Sequence, residues 1–237
     1  EGHAKLNHMI LLAKTEEGYY KLVKLVSESH VDNFYYKPRT TLPMLKKYGK
    51  GLMATSACVA GIIPKTLDVK KLNEERYEEA KNWAFKLAEC FEPGDFYIEL
   101  QNQEYVTDAG LTQTELNYRL TQLARDCGLK TVAANDFHYL LQEDAVAQDI
   151  LLCIGTGSKV SQSSSERMKM EPDQFYMKTE EEMLQALAEF PEACANTVEV
   201  ADKVEEFSLK KDPILPNFKI PEGHTTDSYF KSPIDKG

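Results

Sequence analysis

The sequence lacks the signs of an exported or membrane protein. Its five cysteines are odd in number, widely spaced and without a CxxC pair, which argues against a disulfide framework and fits a reducing cytoplasm. No apolar run approaches the roughly 20 residues that span a bilayer, and the first residues do not have the architecture of a signal peptide. We therefore expect a cytoplasmic protein without a membrane partner.

Basic residues are also scarce. Lys and Arg number 28 against 38 Asp and Glu, so the formal net charge is −10. A domain that holds DNA by itself usually has a basic face, because neutralised phosphates supply most of its non-specific affinity. If nucleic acid is the substrate, another part of a larger protein must hold it, or metal ions must offset the charge near the site.

Three common catalytic motifs are absent as well. The sequence contains no GxSxG nucleophile elbow and no HExxH helix. The glycines at 155 and 157 follow a predicted helix rather than a strand and lack the lysine of a P-loop. These absences argue against a serine hydrolase of the α/β class, a zincin protease and a P-loop nucleotidase.

What the sequence does contain is a globular composition with a repeated β-then-α pattern. Hydrophobic residues make up 42% and charged residues 28%, enough to bury a core. Strands are predicted at 7–13, 51–56, 95–100 and 130–134, and helices at 16–30, 73–90, 113–127 and 143–153. Four such units, with the first strand buried and the sheet parallel, predict an α/β barrel or a doubly wound sheet. Four strands do not close a barrel by themselves.

The last third of the chain has a different composition. Residues 158–173 are polar and rich in serine, which predicts a loop, and helices are predicted at 180–190 and 191–205. Three prolines within 209–223 predict an extended segment. We therefore divide the chain into 1–157, 158–205 and 206–237.

Residues that could carry chemistry follow the predicted strands, where α/β barrels place their reactive groups. Asp136 and His138 come after the fourth strand, and side chains two apart in an extended segment point the same way and can face one metal. Together with Cys58, which follows the second strand, they would suit zinc or manganese. Taken alone, however, an Asp-x-His pair is more often a surface or hydrogen-bonded pair.

Four further features stay open from the residues alone. From composition alone, Cys58 is more often a buried thiol in a tight turn, and His8, inside an apolar strand, is more often a hydrogen-bonded core histidine than a ligand. Glu99 is either a carboxylate behind the metal ligands or the partner of a core lysine or arginine. The run with Tyr36, Lys37 and Arg39 could stack on bases and contact nucleic acid, or it is a packed loop capped by its arginine.

Several stretches, taken in order, resemble the PHP (polymerase and histidinol phosphatase) region of bacterial polymerase III α subunits. Together they cover the chain to about residue 230, which makes them far more specific than any single motif. They are 7–14 (NHMILLAK), 17–19 (EGY), 34–39 (FYYKPR), 51–61 (GLMATSACVAG), 96–101 (FYIELQ), 135–140 (NDFHYL), 149–157 (DILLCIGTG), 175–178 (FYMK), 180–183 and 214–223 (ILPNFKIPEG).

The resemblance implies a distorted seven-stranded α/β barrel that holds up to three divalent metals at its C-terminal face. The residues that match family metal ligands are His8, Cys58, Asp136 and His138, and Glu99 and Asn135 are candidates for the groups behind them. This implication replaces the simpler interpretations of His8 and Cys58. It leaves Glu99 undecided.

The sequence also departs from the family pattern. The family's HxH strand, TDH motif and ligand glutamate lie upstream of the stretch that matches 7–14, and the polymerase palm carboxylates lie downstream; these 237 residues contain none of them. We therefore expect the C-terminal part of the (β/α)7 barrel over 1–157, helices that complete it over 158–205, and an extended connector toward the palm over 206–237.

The resemblance implies a fragment of the replicative polymerase, whose PHP domain supports DNA synthesis and, in many members, is a metal-dependent 3′→5′ proofreading exonuclease. The implied cofactors are zinc or manganese here and magnesium for the polymerase domain. The implied partners, through the full-length protein, are DNA, the sliding clamp, the proofreading subunit and the clamp loader. Two alternatives remain: a scaffold with a degenerate site, and a stand-alone PHP phosphoesterase.

Overall fold

The computed structural model describes residues 6–214 and 218–234, and the side chains of Ser232 and Pro233 are left out of the description. The chain divides into two compact units after Glu206. The first unit contains the sheet and all candidate site residues. In the second unit, helix α9 (Thr226–Ile234) lies within the segment expected to be extended, and the rings of Phe218 and Tyr229 stack at 5.5 Å.

The first unit is built on a four-stranded sheet in the order β1-β2-β3-β4. The strands are β1 (Ile10–Ala13), β2 (Leu52–Thr55), β3 (Phe96–Leu100) and β4 (Lys130–Ala133). β2, β3 and β4 run parallel. β1 pairs with β2 in the antiparallel sense, with Ile10 opposite Thr55 and Ala13 opposite Leu52. We call the end of the sheet at which β2, β3 and β4 finish its carboxyl end, and the opposite end its amino end.

The prediction of a buried, parallel first strand is wrong in two respects. β1 is antiparallel, and it leaves Ile10 and Leu12 exposed at 45% and 38%. An apolar run shows that a strand packs against something, but it carries no information about strand direction. β1 is also the first strand of the sheet, and an antiparallel edge strand can keep one face toward solvent. His8 consequently lies before β1 and not inside it.

Helices surround the sheet and connect its strands. In the first unit they are α1 (Glu16–Val31), α2 (Leu42–Tyr48), α3 (Ile62–Leu67), α4 (Glu74–Ala88), α5 (Gln113–Cys127), α6 (Ala145–Thr156), α7 (Glu180–Ala186) and α8 (Pro191–Asp202), with a 3₁₀ turn at Gln142–Asp144. The short helices α2 and α3 were not predicted. No helix among the described residues is long and apolar enough to cross a membrane.

The core lies around the two central strands. Every residue of β2 and β3 is buried, as expected for strands covered on both faces. Leu52 and Ile98 are fully buried and pack with Ile63 of α3, Ala84 of α4 and Leu123 of α5. This packing fixes the strands, and therefore the positions of the side chains at their carboxyl ends.

The amino end of the sheet is held by a network of opposite charges around Asp95. Its carboxylate, only 4% exposed, accepts from Lys14 Nζ at 2.5 Å and from Lys203 Nζ at 3.3 Å. Lys203 also donates to the Tyr97 hydroxyl at 2.7 Å, and that hydroxyl donates to Glu199 at 2.9 Å. Burial alone would lower the pKa of Lys14, but its hydrogen bonds to Asp95 and Glu92 outweigh burial and raise it.

Helix α8 closes this end of the unit. Its residue Asn196 donates from Nδ2 to the carbonyl oxygen of Thr131 in β4 at 2.7 Å, and Glu199 forms an ion pair with Lys130. Just after the helix, the amide of Glu205 donates to the carbonyl oxygen of Lys14 at 2.9 Å. The chain after α8 is thereby fixed to the segment that follows β1.

Candidate functional site

His8 and Cys58 meet at the carboxyl end of the sheet because β1 is antiparallel to β2. His8 precedes β1 and Cys58 follows β2, so this strand direction places both at the same end. The His8 amide donates to the carbonyl oxygen of Ala60 at 3.0 Å, and the Nδ1 atom of His8 lies 3.6 Å from the Cys58 Sγ. A Cβ on Gly61 would lie 2.0 Å from the carbonyl oxygen of Ser56, so the turn that carries Cys58 requires glycine there.

Asp136 and His138 form a second pair beyond the end of β4. The Nε2 of His138 lies 3.6 Å from the Asp136 Oδ1, and each side chain is about one third exposed. The His138 amide donates to the carbonyl oxygen of Phe175 at 2.7 Å, and the two rings make an edge contact at 5.8 Å. The side chain of Asn135 bonds outside this pair, because its Oδ1 accepts from the Lys178 amide at 2.9 Å.

Two of the four non-glycine residues with positive φ among those that the structure describes lie at these pairs. Ala57, next to Cys58, has φ 58°, and Asp136 has φ 50°. Both values lie in the left-handed region, which non-glycine residues rarely adopt and which costs free energy unless the surroundings enforce it. Strain of this kind clusters at functional sites, and here it turns the chain at the end of two different strands.

Glu99 lies on β3, between the strands that carry the two pairs. It is 5% exposed, the hydroxyl of Thr55 donates to its carboxylate, and the Gln101 amide donates to it at 2.5 Å. Burial raises the pKa of this carboxyl, and the nearby carboxylate of Asp136 raises it further, against the two hydrogen bonds. No lysine or arginine among the described residues forms an ion pair with Glu99. Its expected role as the partner of a core lysine or arginine is therefore not seen in this part of the chain.

The two pairs are close enough for their charges to influence one another. Burial raises the pKa of the Cys58 thiol, and the carboxylates of Asp136 and Glu99 raise it further. Burial raises the pKa of Tyr105, and the charges of Cys58 and Asp136 raise it further. The Tyr105 ring stacks on Phe175 at 6.1 Å. A thiolate binds metal and a thiol does not, so metal binding at Cys58 would have to release a proton.

The separations within the pairs can be compared with what a metal requires. Two ligands on one tetrahedral zinc, at about 2.0–2.3 Å from the ion, lie roughly 3.3–3.8 Å from each other. The separations of 3.6 Å in both pairs fall within that range. Among residues 6–214 and 218–234, however, no group of three or more His, Cys, Asp and Glu side chains could hold an ion. These residues thus supply two donor pairs, and each pair is short of the three or four ligands of a complete site.

Some neighbours of the site could not be predicted from sequence spacing. Phe175 covers His138 from 37 residues away, and Gln103 donates from Nε2 to the carbonyl oxygen of Asn135 at 2.6 Å. The one available signal was that 175–178 belongs to the stretches that carry the resemblance. Tyr36, Lys37 and Arg39 lie in the connection between α1 and α2, and Lys37 and Arg39 line one cavity with His8.

Comparison with known proteins identifies relatives of the chain. Residues 1–103 match the PHP domain family, so this part of the chain belongs with the class of proteins that contain a PHP domain. Within that class it is similar to DNA polymerase III subunit alpha of Borreliella burgdorferi, with 43% identity over 227 residues, and of Treponema pallidum, with 37% over 232. DNA polymerase III subunit alpha of Thermus aquaticus is 37% identical over 234 residues.

These matches cover 94–97% of this chain but only 18–19% of each relative. The chain therefore spans about a fifth of the length of the curated relatives it matches. The resemblance to the PHP region of bacterial DNA polymerase III α subunits is confirmed.

Proposed function

We propose that the chain is the PHP portion of a replicative DNA polymerase III α subunit, whose activity as a whole is DNA-directed DNA synthesis in chromosome replication. Support comes from relatives of that name, which match from one end of the chain to the other. On this proposal 1–157 and 158–205 together form the PHP domain, and 206–237 leads toward the polymerase palm. The four strands would be part of a distorted (β/α)7 barrel, with the rest contributed by other parts of the protein.

We further propose that the PHP domain supports the polymerase structurally and is a metal-dependent 3′→5′ proofreading exonuclease. The observation that carries this proposal is the meeting of two donor pairs at the carboxyl end of one sheet, each pair 3.6 Å apart. Divalent metal, zinc or manganese, would supply activation of a water and neutralisation of charge on a phosphate. Ligands beyond the described residues would have to complete the site.

The chain's own residues would have distinct tasks in that site. His8 and Cys58 on one side, and Asp136 and His138 on the other, would bind metal. The buried carboxylate of Glu99 would hold negative charge between the two pairs without touching substrate. Asn135 would position its neighbour Asp136, because the Asn135 side chain is fixed by the Lys178 amide and its carbonyl oxygen by Gln103.

The remaining properties follow from the proposed identity of the whole protein. The partners would be DNA and the other replicase subunits: the sliding clamp, the proofreading subunit and the clamp loader. Magnesium would serve the polymerase domain, and the protein would act in the cytoplasm. This chain by itself would show no polymerase activity and little nuclease activity.

One observation favours a second candidate, a scaffold whose site is degenerate. The described residues bring together pairs of possible ligands but no group of three. A stand-alone phosphoesterase is the weaker alternative, because the likeness to polymerase subunits extends far beyond residue 103, where the PHP match ends.

Metal content separates these candidates. We would measure zinc and manganese by elemental analysis in the full-length protein and in its Asp136→Ala/His138→Ala variant. The proposal expects stoichiometric metal in the parent and its partial or complete loss in the variant. A matched control is His30→Ala/Asp32→Ala, which removes the same two residue types at the same spacing near the end of α1 and should leave the metal in place. A full-length protein without metal would favour the scaffold.

A further inference from the structure

The connection between α1 and α2 contains a loop with an unusual surface, residues 34–40, which we call the aromatic–basic loop. Its sequence, FYYKPRT, holds three aromatic and two basic side chains and no carboxylate. Phe34 and Tyr36 are 57% and 75% exposed. Tyr36 has φ 58°, and a bridge between Tyr35 and Lys37 tightens the turn around it. The Tyr36 ring is thus largely exposed, and it makes an edge contact with the Tyr35 ring at 4.6 Å.

Arg39 is the residue of this loop that has an unpartnered hydrogen-bond donor. Its guanidinium lies over the Tyr35 ring at 4.8 Å, which orients it. Its Nε is buried and has no hydrogen-bond partner among the residues that the structure describes. A buried donor without an acceptor is costly. The planar guanidinium of arginine matches the oxygens of a phosphate.

The aromatic–basic loop also faces the candidate site. Lys37 and Arg39 line a cavity of about 560 Å³ that Asn7 and His8 also line, together with apolar side chains of β1, α2 and α4. His8 is the residue whose Nδ1 lies 3.6 Å from Cys58. A phosphate held at Arg39 would thus stand beside one of the two donor pairs.

From these observations we infer that the aromatic–basic loop binds single-stranded DNA, with Arg39 holding a backbone phosphate in the cavity beside His8 and Tyr36 stacking on a base. The inference rests on the proposed function, since it supplies the strand on which that site would act. Exposed aromatic rings next to cations are the combination that proteins use to hold single strands without reading their sequence. In a chain of net charge −10, a segment of this kind provides a local attraction for phosphate that the rest of the composition does not predict.

Binding can be measured without any catalytic activity. We would follow the fluorescence anisotropy of a labelled oligothymidylate mixed with the 237-residue chain, in EDTA, over a series of salt concentrations. Arg39→Gln should weaken binding about tenfold and reduce the slope of log Kd against log salt by roughly 0.7, the value for one phosphate contact on a single strand. Tyr36→Ala should weaken binding by about tenfold with an unchanged slope, because stacking releases no counterions.

Arg76→Gln is the matched control, since it removes the same charge from an exposed position at the start of α4. It should leave both the affinity and the slope unchanged. Thermal melts of all the variants would show whether each is folded. As a second localising readout, an oligonucleotide that carries 5-iodouracil should crosslink within the peptide that contains Phe34–Tyr36.

Three results would overturn the inference: no binding by the parent chain, equal losses in Arg39→Gln and Arg76→Gln, or crosslinks that map only outside the loop. Tighter binding of oligouridylate than of oligothymidylate would overturn the assignment to DNA. The fate of the proposed nuclease is separate, because the measurement is made in EDTA. A full-length protein that lacks metal but whose loop binds DNA would refute the nuclease and leave the loop site standing.

Discussion

At the amino end of the sheet, the buried carboxylate of Asp95 lies between two ammonium groups, those of Lys14 and Lys203. At the carboxyl end, the carboxylate of Glu99 is also buried, and within the described part of the chain its only partners are the neutral donors of Thr55 and Gln101. The same sheet thus buries a carboxylate at each end. The charge of Asp95 is compensated by two lysines, whereas the charge of Glu99 is not compensated by a cation among the described residues.

The backbone shows the same contrast. Ala57 and Asp136, which leave the carboxyl ends of β2 and β4, both have left-handed backbone conformations. At the amino end, α8 and its following residue add hydrogen bonds to β4 and to Lys14 instead. The amino end of the sheet is thus stabilised, whereas the carboxyl end holds an uncompensated charge and backbone strain. A functional site on a stable scaffold shows this combination. Three substitutions test whether this contrast is energetic as well as geometric.

The largest effect is expected at Asp95. Asp95→Ala leaves Lys14 and Lys203 without their shared buried partner, and breaking a partly buried charge cluster should lower the free energy of unfolding by about 3 kcal/mol. Urea denaturation of the chain at neutral pH measures this loss. Glu17→Ala is the control, because the Glu17–Lys21 pair is exposed and should contribute less than about 0.5 kcal/mol. Equal effects of the two substitutions would remove the contrast between the ends.

A smaller effect of opposite sign is expected at Glu99. Glu99→Gln removes a buried charge and keeps polar contacts to Thr55 and Gln101, so it should raise the free energy of unfolding by about 1 kcal/mol at pH 7. The pKa of Glu99 is raised in the folded state above its ordinary value of 4.5. The folded state therefore holds the proton more tightly, and the carboxyl disfavours folding increasingly as pH rises from 4.5 to that raised pKa.

The pH dependence gives the sharper test of Glu99. The advantage of the Gln variant should be full well above the folded pKa and should vanish below pH 4.5, where both states of the parent carry the proton. Denaturation curves of parent and variant across that range measure it. A Gln variant that is less stable than the parent at neutral pH would mean that the charge of Glu99 is compensated after all.

The smallest effect is expected at Ala57. Ala57→Gly relieves the left-handed conformation at φ 58°, and this gain should exceed the entropy that glycine adds to the unfolded chain, leaving about 0.5 kcal/mol of stabilisation. Ala80→Gly in α4 is the matched control, since a helical position with ordinary angles should lose about 1 kcal/mol. Thermal unfolding compares the two variants, and a loss at Ala57 similar to that at Ala80 would show that the turn is not strained.

Elements with strong local signals were predicted from the sequence to within a few residues. Helix α5 was predicted at its observed bounds, because Thr112 and Glu115 form a capping box at its start and Gly128 takes a left-handed conformation at its end. The four strands were also located. Helices α2 and α3 were missed, since seven and six residues give too few turns for a periodic pattern.

The candidate site was only partly accessible from the residues. The position of Asp136 and His138 after a strand could be predicted, because both lie close together in the chain. The approach of His8 to Cys58 spans 50 residues and depends on the direction of β1, which no apolar pattern encodes. For that pair the resemblance to a family was the better guide, whereas local reasoning about His8 assigned it to the interior of a strand.

The position of α8 also constrains the order in which a nascent chain can finish folding. Asn196 satisfies the carbonyl of Thr131 across 65 residues, and Lys203 reaches the carbonyl of Gly94 across 109. Contacts this distant in sequence form late, because the intervening chain must first be synthesised and ordered. Until residue 203 has left the ribosome, Asp95 lacks one of its two cations and the last strand of the sheet lacks its covering helix. Translation that pauses before α8 would therefore hold the domain in its most aggregation-prone state.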